Sequence, residues 1–175
     1  MTKKIARLIF GTNNVDNSSR YCQNPATEGL FRTVGYGGDA GTLEDLQQAD
    51  LVIIVGSNLA ENHPVIASRI KAAQKHHGQK ILVVDPRMNE MAERADIWLR
   101  IKPGSDSLWA SAMSRYMFEH GYADEAFLTE KVNQVEAYRA SLDPFTLHYA
   151  SEHTGLSVEQ LIEAAETIGQ AQRVC

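Results

Sequence analysis

Three short segments of this chain pair a glycine or proline with amide, hydroxyl and charged side chains. They are Gly56-Ser57-Asn58-Leu59-Ala60-Glu61-Asn62-His63, Asp85-Pro86-Arg87-Met88 and Pro103-Gly104-Ser105-Asp106. Gly56 and Gly104 allow a ligand to approach the backbone closely. Arg87 offers a planar fork for a phosphate, and Asp106 can accept from the N–H groups of a guanine. Together the segments are suited to hold a nucleotide. The competing reading is that Asn58, Asp85 and Asp106 only cap helices and turns, the usual work of Asn and Asp. Their joint placement, one segment after each of three strand-like runs, favours a ligand.

Other chemistry-bearing residues are sparse. Cys22 and Cys175 are the only cysteines, too few for a disulfide scaffold or a four-cysteine zinc or iron–sulfur site. A lone thiol can still ligate a metal that a cofactor also holds, but on residue type alone Cys22 reads as a buried, inert thiol. The six histidines show no metal-ligand spacing: His76 and His77 fall at a helix end, and His120, His148 and His153 on helical faces. Gly35-Tyr36-Gly37-Gly38-Asp39-Ala40 matches the dinucleotide fingerprint G-x-G-x-x-A. The preceding Leu30–Val34 makes a poor core strand, and the following residues lead towards a strand instead of away from one. The glycines therefore read as a mobile loop, with a nicotinamide site as the weaker alternative.

The elements that must position the three segments follow from hydrophobic patterning. Leu51–Val55, Ile81–Val84 and Ile97–Ile101 are short, apolar, β-branched runs that read as buried strands. Between the first two, Ile66, Ile70 and Ala73 recur at helical spacing from Pro64, with Asn62 and His63 at the cap and Gly78 closing the pattern. Strand, helix and strand over about 30 residues make a βαβ unit with parallel strands. Met88–Arg94 reads as a short helix, and Ser105–His120 as a longer one with Trp109, Met113, Tyr116 and Met117 on one face. Helices then dominate: 125–130, 135–142, 144–153 and 157–171. The expected fold class is α/β, a three-layer αβα sandwich with a mainly parallel, Rossmann-like sheet and a helical C-terminal half. Arg173-Val174-Cys175 reads as the start of another strand, so the chain reads as one domain cut from a longer protein.

Composition narrows the function classes. Of 175 residues, 43% are hydrophobic and 22% charged, as in soluble globular proteins. A formal net charge of -5 argues against a nucleic-acid partner, which needs clustered Lys and Arg. No apolar run reaches the roughly 20 residues of a membrane-spanning helix, and the stretch up to Gly11 is too short for a secretory signal. A cytoplasmic protein without membrane insertion is expected.

The opening Gly11-Thr12-Asn13-Asn14-Val15-Asp16-Asn17-Ser18-Ser19-Arg20-Tyr21-Cys22-Gln23-Asn24-Pro25, followed in order by the three post-strand segments, resembles the catalytic subunit of molybdopterin formate dehydrogenases. These belong to the molybdopterin oxidoreductase family, with periplasmic nitrate reductases and dimethyl sulfoxide reductases. The resemblance covers essentially the whole chain. It implies a domain that holds half of a bis(molybdopterin guanine dinucleotide) cofactor with molybdenum or tungsten. Cys22 matches the position of the metal-ligating cysteine or selenocysteine, with Ser18 among the cofactor contacts. Val55, Gly56, Ser57, Asn58, Glu61 and Asn62 match the guanine-dinucleotide loop. Val84, Asp85, Pro86 and Arg87 match the phosphate and ribose segment, and Gly104, Ser105 and Asp106 the guanine-recognising turn. The implied partners are the remaining domains of the catalytic subunit, formate as substrate, and an electron-transfer subunit or carrier. A 4Fe-4S centre is expected only outside this chain. One departure stands out: formate dehydrogenases of this type carry a histidine after the metal ligand, and here Gln23 follows. Glutamine does not titrate near neutral pH, so Gln23 can orient a substrate but cannot act as acid or base.

Overall fold

A computed structural model describes residues 2–38 and 40–175. The chain divides into two compact units, residues 1–40 and 41–175. The first contains α1 (Thr2–Leu8), a 3-10 turn (Ser18–Tyr21) and α2 (Gln23–Thr33). Asn17 caps the turn, its side chain accepting from Ser19 N at 3.0 Å. In α2 an exposed Glu28–Arg32 pair at i,i+4 bridges at 2.8 Å. Ala6 is the one buried apolar residue among the described residues of this unit, while Leu8, Ile9, Phe10, Tyr21, Phe31, Val34 and Tyr36 are exposed.

The second unit carries the sheet. In chain order its elements are α3 (Leu43–Gln48), β1 (Leu51–Val55), α4 (Leu59–Asn62), α5 (Pro64–His77), β2 (Lys80–Val84), α6 (Glu90–Arg94) and β3 (Ile97–Leu99). Five helices follow: α7 (Asp106–Glu119), α8 (Glu125–Lys131), α9 (Val135–Ser141), α10 (Leu147–Thr154) and α11 (Val158–Gln170). The strands lie in the order β1-β2-β3, all parallel, with Leu51 opposite Lys80 and Leu82 opposite Ile97. Side chains alternate between faces along each strand. Leu51, Leu82, Val84 and Leu99 therefore pack with Trp109, Ala112, Met113 and Tyr116 of α7, Ala150 of α10 and Leu161, Ala164 and Ala165 of α11. On the opposite face Val52, Ile54, Ile81 and Val83 pack with Ala67 and Ile70 of α5 and Met91 and Ala92 of α6. Two apolar cores on opposite sides of one parallel sheet are the αβα sandwich expected from the sequence.

Val174 forms a parallel bridge to Leu51, and Cys175 N donates to Leu51 O at 3.0 Å while Ile53 N donates to Cys175 O at 2.8 Å. Arg173–Cys175 thus continues the sheet beyond β1, as expected of the start of another strand. The strand order reverses at β1: α5 and α6 lead one way across the sheet, whereas α7 to α11 lead back past β1 on the other face. This is the Rossmann-like order, and it places a topological switch point at β1.

Local differences from expectation have local causes. The third strand ends at Leu99 instead of Ile101, because Ile101 N turns back onto Leu99 O at 3.1 Å. Helix α6 starts at Glu90 because Asn89 caps it, accepting from Met91 N and Ala92 N at 3.1 Å each. Helix α10 starts at Leu147 because Thr146 caps it, accepting from Tyr149 N. Helix α5 follows the predicted pattern, with Pro64 in its first turn and Gly78 left-handed at its end. His63 sits at its cap without a side-chain hydrogen bond.

Candidate cofactor site

Each of the three segments begins at the carboxyl end of a neighbouring strand. Paired strands lie about 4.8 Å apart, so the segments start within about 10 Å of one another along one sheet edge. After β1, Gly56 takes a left-handed φ of 58° and its N–H donates to Val84 O at 2.9 Å. A Cβ there would meet nothing within 4 Å, so the backbone is open to a ligand. Asn58 occupies the N-cap of α4 but its side chain makes no capping bond. Its carbonyl instead accepts from Glu61 N at 3.2 Å and Asn62 N at 3.0 Å. Ser57 and Asn58 are half-buried, whereas Val55, Glu61 and Asn62 are exposed.

After β2, buried Val84 leads to Asp85, a buried carboxylate. Its Oδ1 accepts from Arg87 N at 2.7 Å, its Oδ2 accepts from Asn89 Nδ2 at 3.4 Å, and its backbone carbonyl accepts from Trp98 Nε1 at 2.9 Å. Asp85 therefore shapes the turn, in line with the capping reading of that residue. Pro86 is exposed and its carbonyl accepts from Arg100 Nε at 3.3 Å. Arg87 is exposed, and its guanidinium makes no hydrogen bond or ion pair among the described residues.

After β3, Gly104 has a φ of 85° and open space where a Cβ would stand. Ser105 is buried and its Oγ donates to Lys102 O at 2.6 Å, so it does not cap α7 with its side chain. Asp106 is the first residue of α7 and is exposed. The first N–H groups of a helix have no intrahelical acceptor. This turn consequently presents backbone donors beside a carboxylate that has no partner among the described residues. An unengaged guanidinium, an unengaged carboxylate and two open glycine backbones fit a nucleotide carrying phosphates and a base with N–H donors. Two grooves of about 330 and 400 Å³ open instead at the amino edge, around Asp50, Gly78 and Gln79. Of their charged members, Asp50 and Arg173 pair with each other at 3.4 Å, and parallel sheets bind ligands at the other edge.

Within the first unit, Ser18 opens the 3-10 turn, and Cys22 occupies the N-cap of α2 with its N–H donating to Ser19 O at 3.2 Å. Cys22 is exposed and free, not the buried thiol that residue type alone suggested. Such a thiol is available to a soft metal. Gln23, the first residue of α2, is also exposed. The glycines at 35, 37 and 38 follow helix α2 and no strand precedes them in the described residues, so the dinucleotide fingerprint lacks its required context. Asp39 of that motif lies outside the described residues. Among the described residues no group of three or more His, Cys, Asp or Glu is arranged to hold a metal ion, and no helix is long and apolar enough to cross a membrane.

Two clusters went unread in the sequence. Lys102, adjoining the third segment, bonds to the end of α10. Glu166 of α11 accepts at 2.6 Å from both the Tyr116 and Tyr122 hydroxyls, with Gln170 Nε2 at 3.0 Å. These bonds hold the Glu166 carboxyl below its ordinary range and push Tyr116 up to about 12, chiefly through the hydrogen bond to Glu166 and then through burial. Neither cluster has a local motif; only the packing of α7, α10 and α11 brings the partners together.

Comparison with known proteins identifies the family. A Bacillus subtilis protein named "Probable oxidoreductase YjgC" is 57% identical over all of this chain, which spans 18% of its length. One named "Putative formate dehydrogenase YrhE", also from Bacillus subtilis, is 56% identical over 99% of the chain, again 18% of its length. The chain thus spans under a fifth of the curated relatives it matches. Among solved structures, acetylene hydratase from Pelobacter acetylenicus superposes on 95% of this chain and 22% of its own, with a TM-score of 0.78 at 24% identity. That likeness concerns the fold. The molybdopterin oxidoreductase family matches residues 1–170, a family that implies a molybdenum or tungsten pterin cofactor, and this chain belongs to it.

Proposed function

We propose that residues 1–175 form one cofactor-binding α/β domain of a formate dehydrogenase-type catalytic subunit, holding one half of a bis(molybdopterin guanine dinucleotide). The observation that supports it is the carboxyl edge: the Arg87 and Asp106 side chains are unengaged among the described residues, Gly56 and Gly104 leave open space where a Cβ would stand, and all four follow three neighbouring strands beside the switch point. When bound, the metal–pterin group supplies the two-electron redox chemistry by which formate becomes carbon dioxide. Arg87 balances phosphate charge, Asp106 accepts from the guanine N–H groups, and Gly56 and Gly104 let the nucleotide lie against the backbone. Ser57, Asn58, Glu61 and Asn62 contribute polar contacts from the first loop, and Val55, Val84, Asp85, Pro86 and Ser105 fix the loops' shapes. Cys22 is the thiolate ligand, with Ser18 beside the cofactor.

Gln23 can orient a substrate oxygen through its amide N–H but neither gives nor takes a proton near neutral pH. Formate oxidation releases one proton and two electrons, so that proton leaves by a group other than Gln23. The same residue favours a second reading, in which the parent keeps the cofactor and acts on a small substrate other than formate. The iron–sulfur centres, the electron acceptor and the remaining cofactor contacts belong to the rest of a cytoplasmic parent, and the domain alone does not turn over. In the full-length parent, Cys22→Ala is expected to abolish activity while the protein stays folded by circular dichroism. Full activity in that variant contradicts the ligand assignment.

A further inference from the structure

The turn that carries Gly104 and Asp106 is fastened to a helix far along the chain. Lys102 N donates to Thr154 O at 2.8 Å, and Lys102 O accepts from Ser105 Oγ at 2.6 Å and Ser105 N at 3.2 Å. Its ammonium lies 3.4 Å from Glu152 O, in the last turn of α10, where unpaired carbonyls favour a cation. The aliphatic stem runs over Gly155: a Cβ there would meet Lys102 Cε, Cγ and Cδ at 3.1, 3.5 and 3.7 Å. Gly155 is the left-handed cap of α10, with a φ of 81°. The receiving end is itself fixed, since fully buried Thr154 donates from Oγ1 to Ala150 O at 2.7 Å and accepts from Leu156 N at 3.2 Å.

We infer that Lys102 is a positioning residue for the nucleotide turn, latching Gly104–Asp106 to the carboxyl end of α10 through its ammonium and stem. Asp106 makes no side-chain bond of its own to hold it among the described residues. The latch is what keeps its carboxylate and the first N–H groups of α7 in one place. This inference rests on the nucleotide reading of that edge.

The test uses the purified full-length parent and reads GMP released by acid hydrolysis per polypeptide, alongside the melting temperature. Lys102→Ala is expected to lower bound guanine at least twofold relative to the parent. Lys102→Arg, which reaches the same carbonyl with a retained stem, is expected to restore it. Lys131→Ala, a solvent-exposed lysine on α8, serves as the unchanged control. Wild-type guanine content in Lys102→Ala overturns the inference while leaving the nucleotide reading intact. So does a loss that only follows the melting temperature and is not rescued by Lys102→Arg. Absence of guanine from the wild-type parent overturns both.

Discussion

Gly169, in the last turn of α11, is expected to reject even a methyl group. Tyr122 lies across it: a Cβ on Gly169 would overlap the ring Cγ and stand 2.6 Å from each Cδ. Those atoms are the root of the ring, so rotating the ring does not relieve the contact; the whole side chain must move. That movement also pulls the Tyr122 hydroxyl from Glu166, where it donates at 2.6 Å. In an exposed helix interior, Gly→Ala is favourable by about 1 kcal/mol, and less near a helix end. Forcing a methyl into an occupied space costs about 1–3 kcal/mol. The clash wins, and Gly169→Ala is expected to destabilise the protein by about 1–2 kcal/mol, a fall in Tm of roughly 3–6 °C for a chain of this size. Urea unfolding followed by far-ultraviolet circular dichroism measures it as a lower midpoint. In a Tyr122→Ala background the obstruction is gone, and the same substitution should turn neutral or stabilising. A Gly169→Ala protein as stable as the parent refutes the packing argument.

Leu82 is fully buried in the central strand and packs with the α7, α10 and α11 face, so Leu82→Ala is expected to cost about 2–5 kcal/mol in urea unfolding. At acid pH, the Glu166 carboxyl is held below its ordinary value by the Tyr116 and Tyr122 hydroxyls. It binds fewer protons folded than unfolded, so its contribution is present above the ordinary glutamate range and is lost as pH falls through its folded value. Glu166→Gln should therefore flatten the acid side of a plot of Tm against pH. At alkaline pH the sign reverses, because Tyr116 is raised from 10.0 to about 12. Its contribution is complete below 10 and lost as pH rises through about 12, and Tyr116→Phe should remove that alkaline loss.

The sheet was legible because it is buried on both faces. Leu51–Val55 and Ile81–Val84 are continuous apolar runs, and they fall within one residue of the observed strands. Helix α5 was legible for a different reason, the local backbone chemistry of Pro64 at its start and Gly78 at its end. Helix α2 was not legible: none of its residues is fully buried and Phe31 is exposed, so no run of core residues marked it. Helix α3 did carry a signal: Thr42 and Asp45 form a capping box, with Thr42 N donating to Asp45 Oδ2 at 2.7 Å. The three loops were found by their position after strands, which topology alone supplies. In the sequence Asp85 read equally as a cofactor contact or a turn cap, and its burial and bond to Arg87 N became visible only in three dimensions. The Lys102 latch joins residues fifty positions apart, and no local pattern announces it.

The most direct test is the metal, pterin and guanine content of the purified full-length parent, measured together with formate-dependent dye reduction. Bound molybdenum or tungsten with pterin, guanine and formate turnover is the predicted result, and it would establish that Gln23 is compatible with that reaction. A folded parent with no metal, pterin or guanine would contradict the assignment of the carboxyl edge and of Cys22 together.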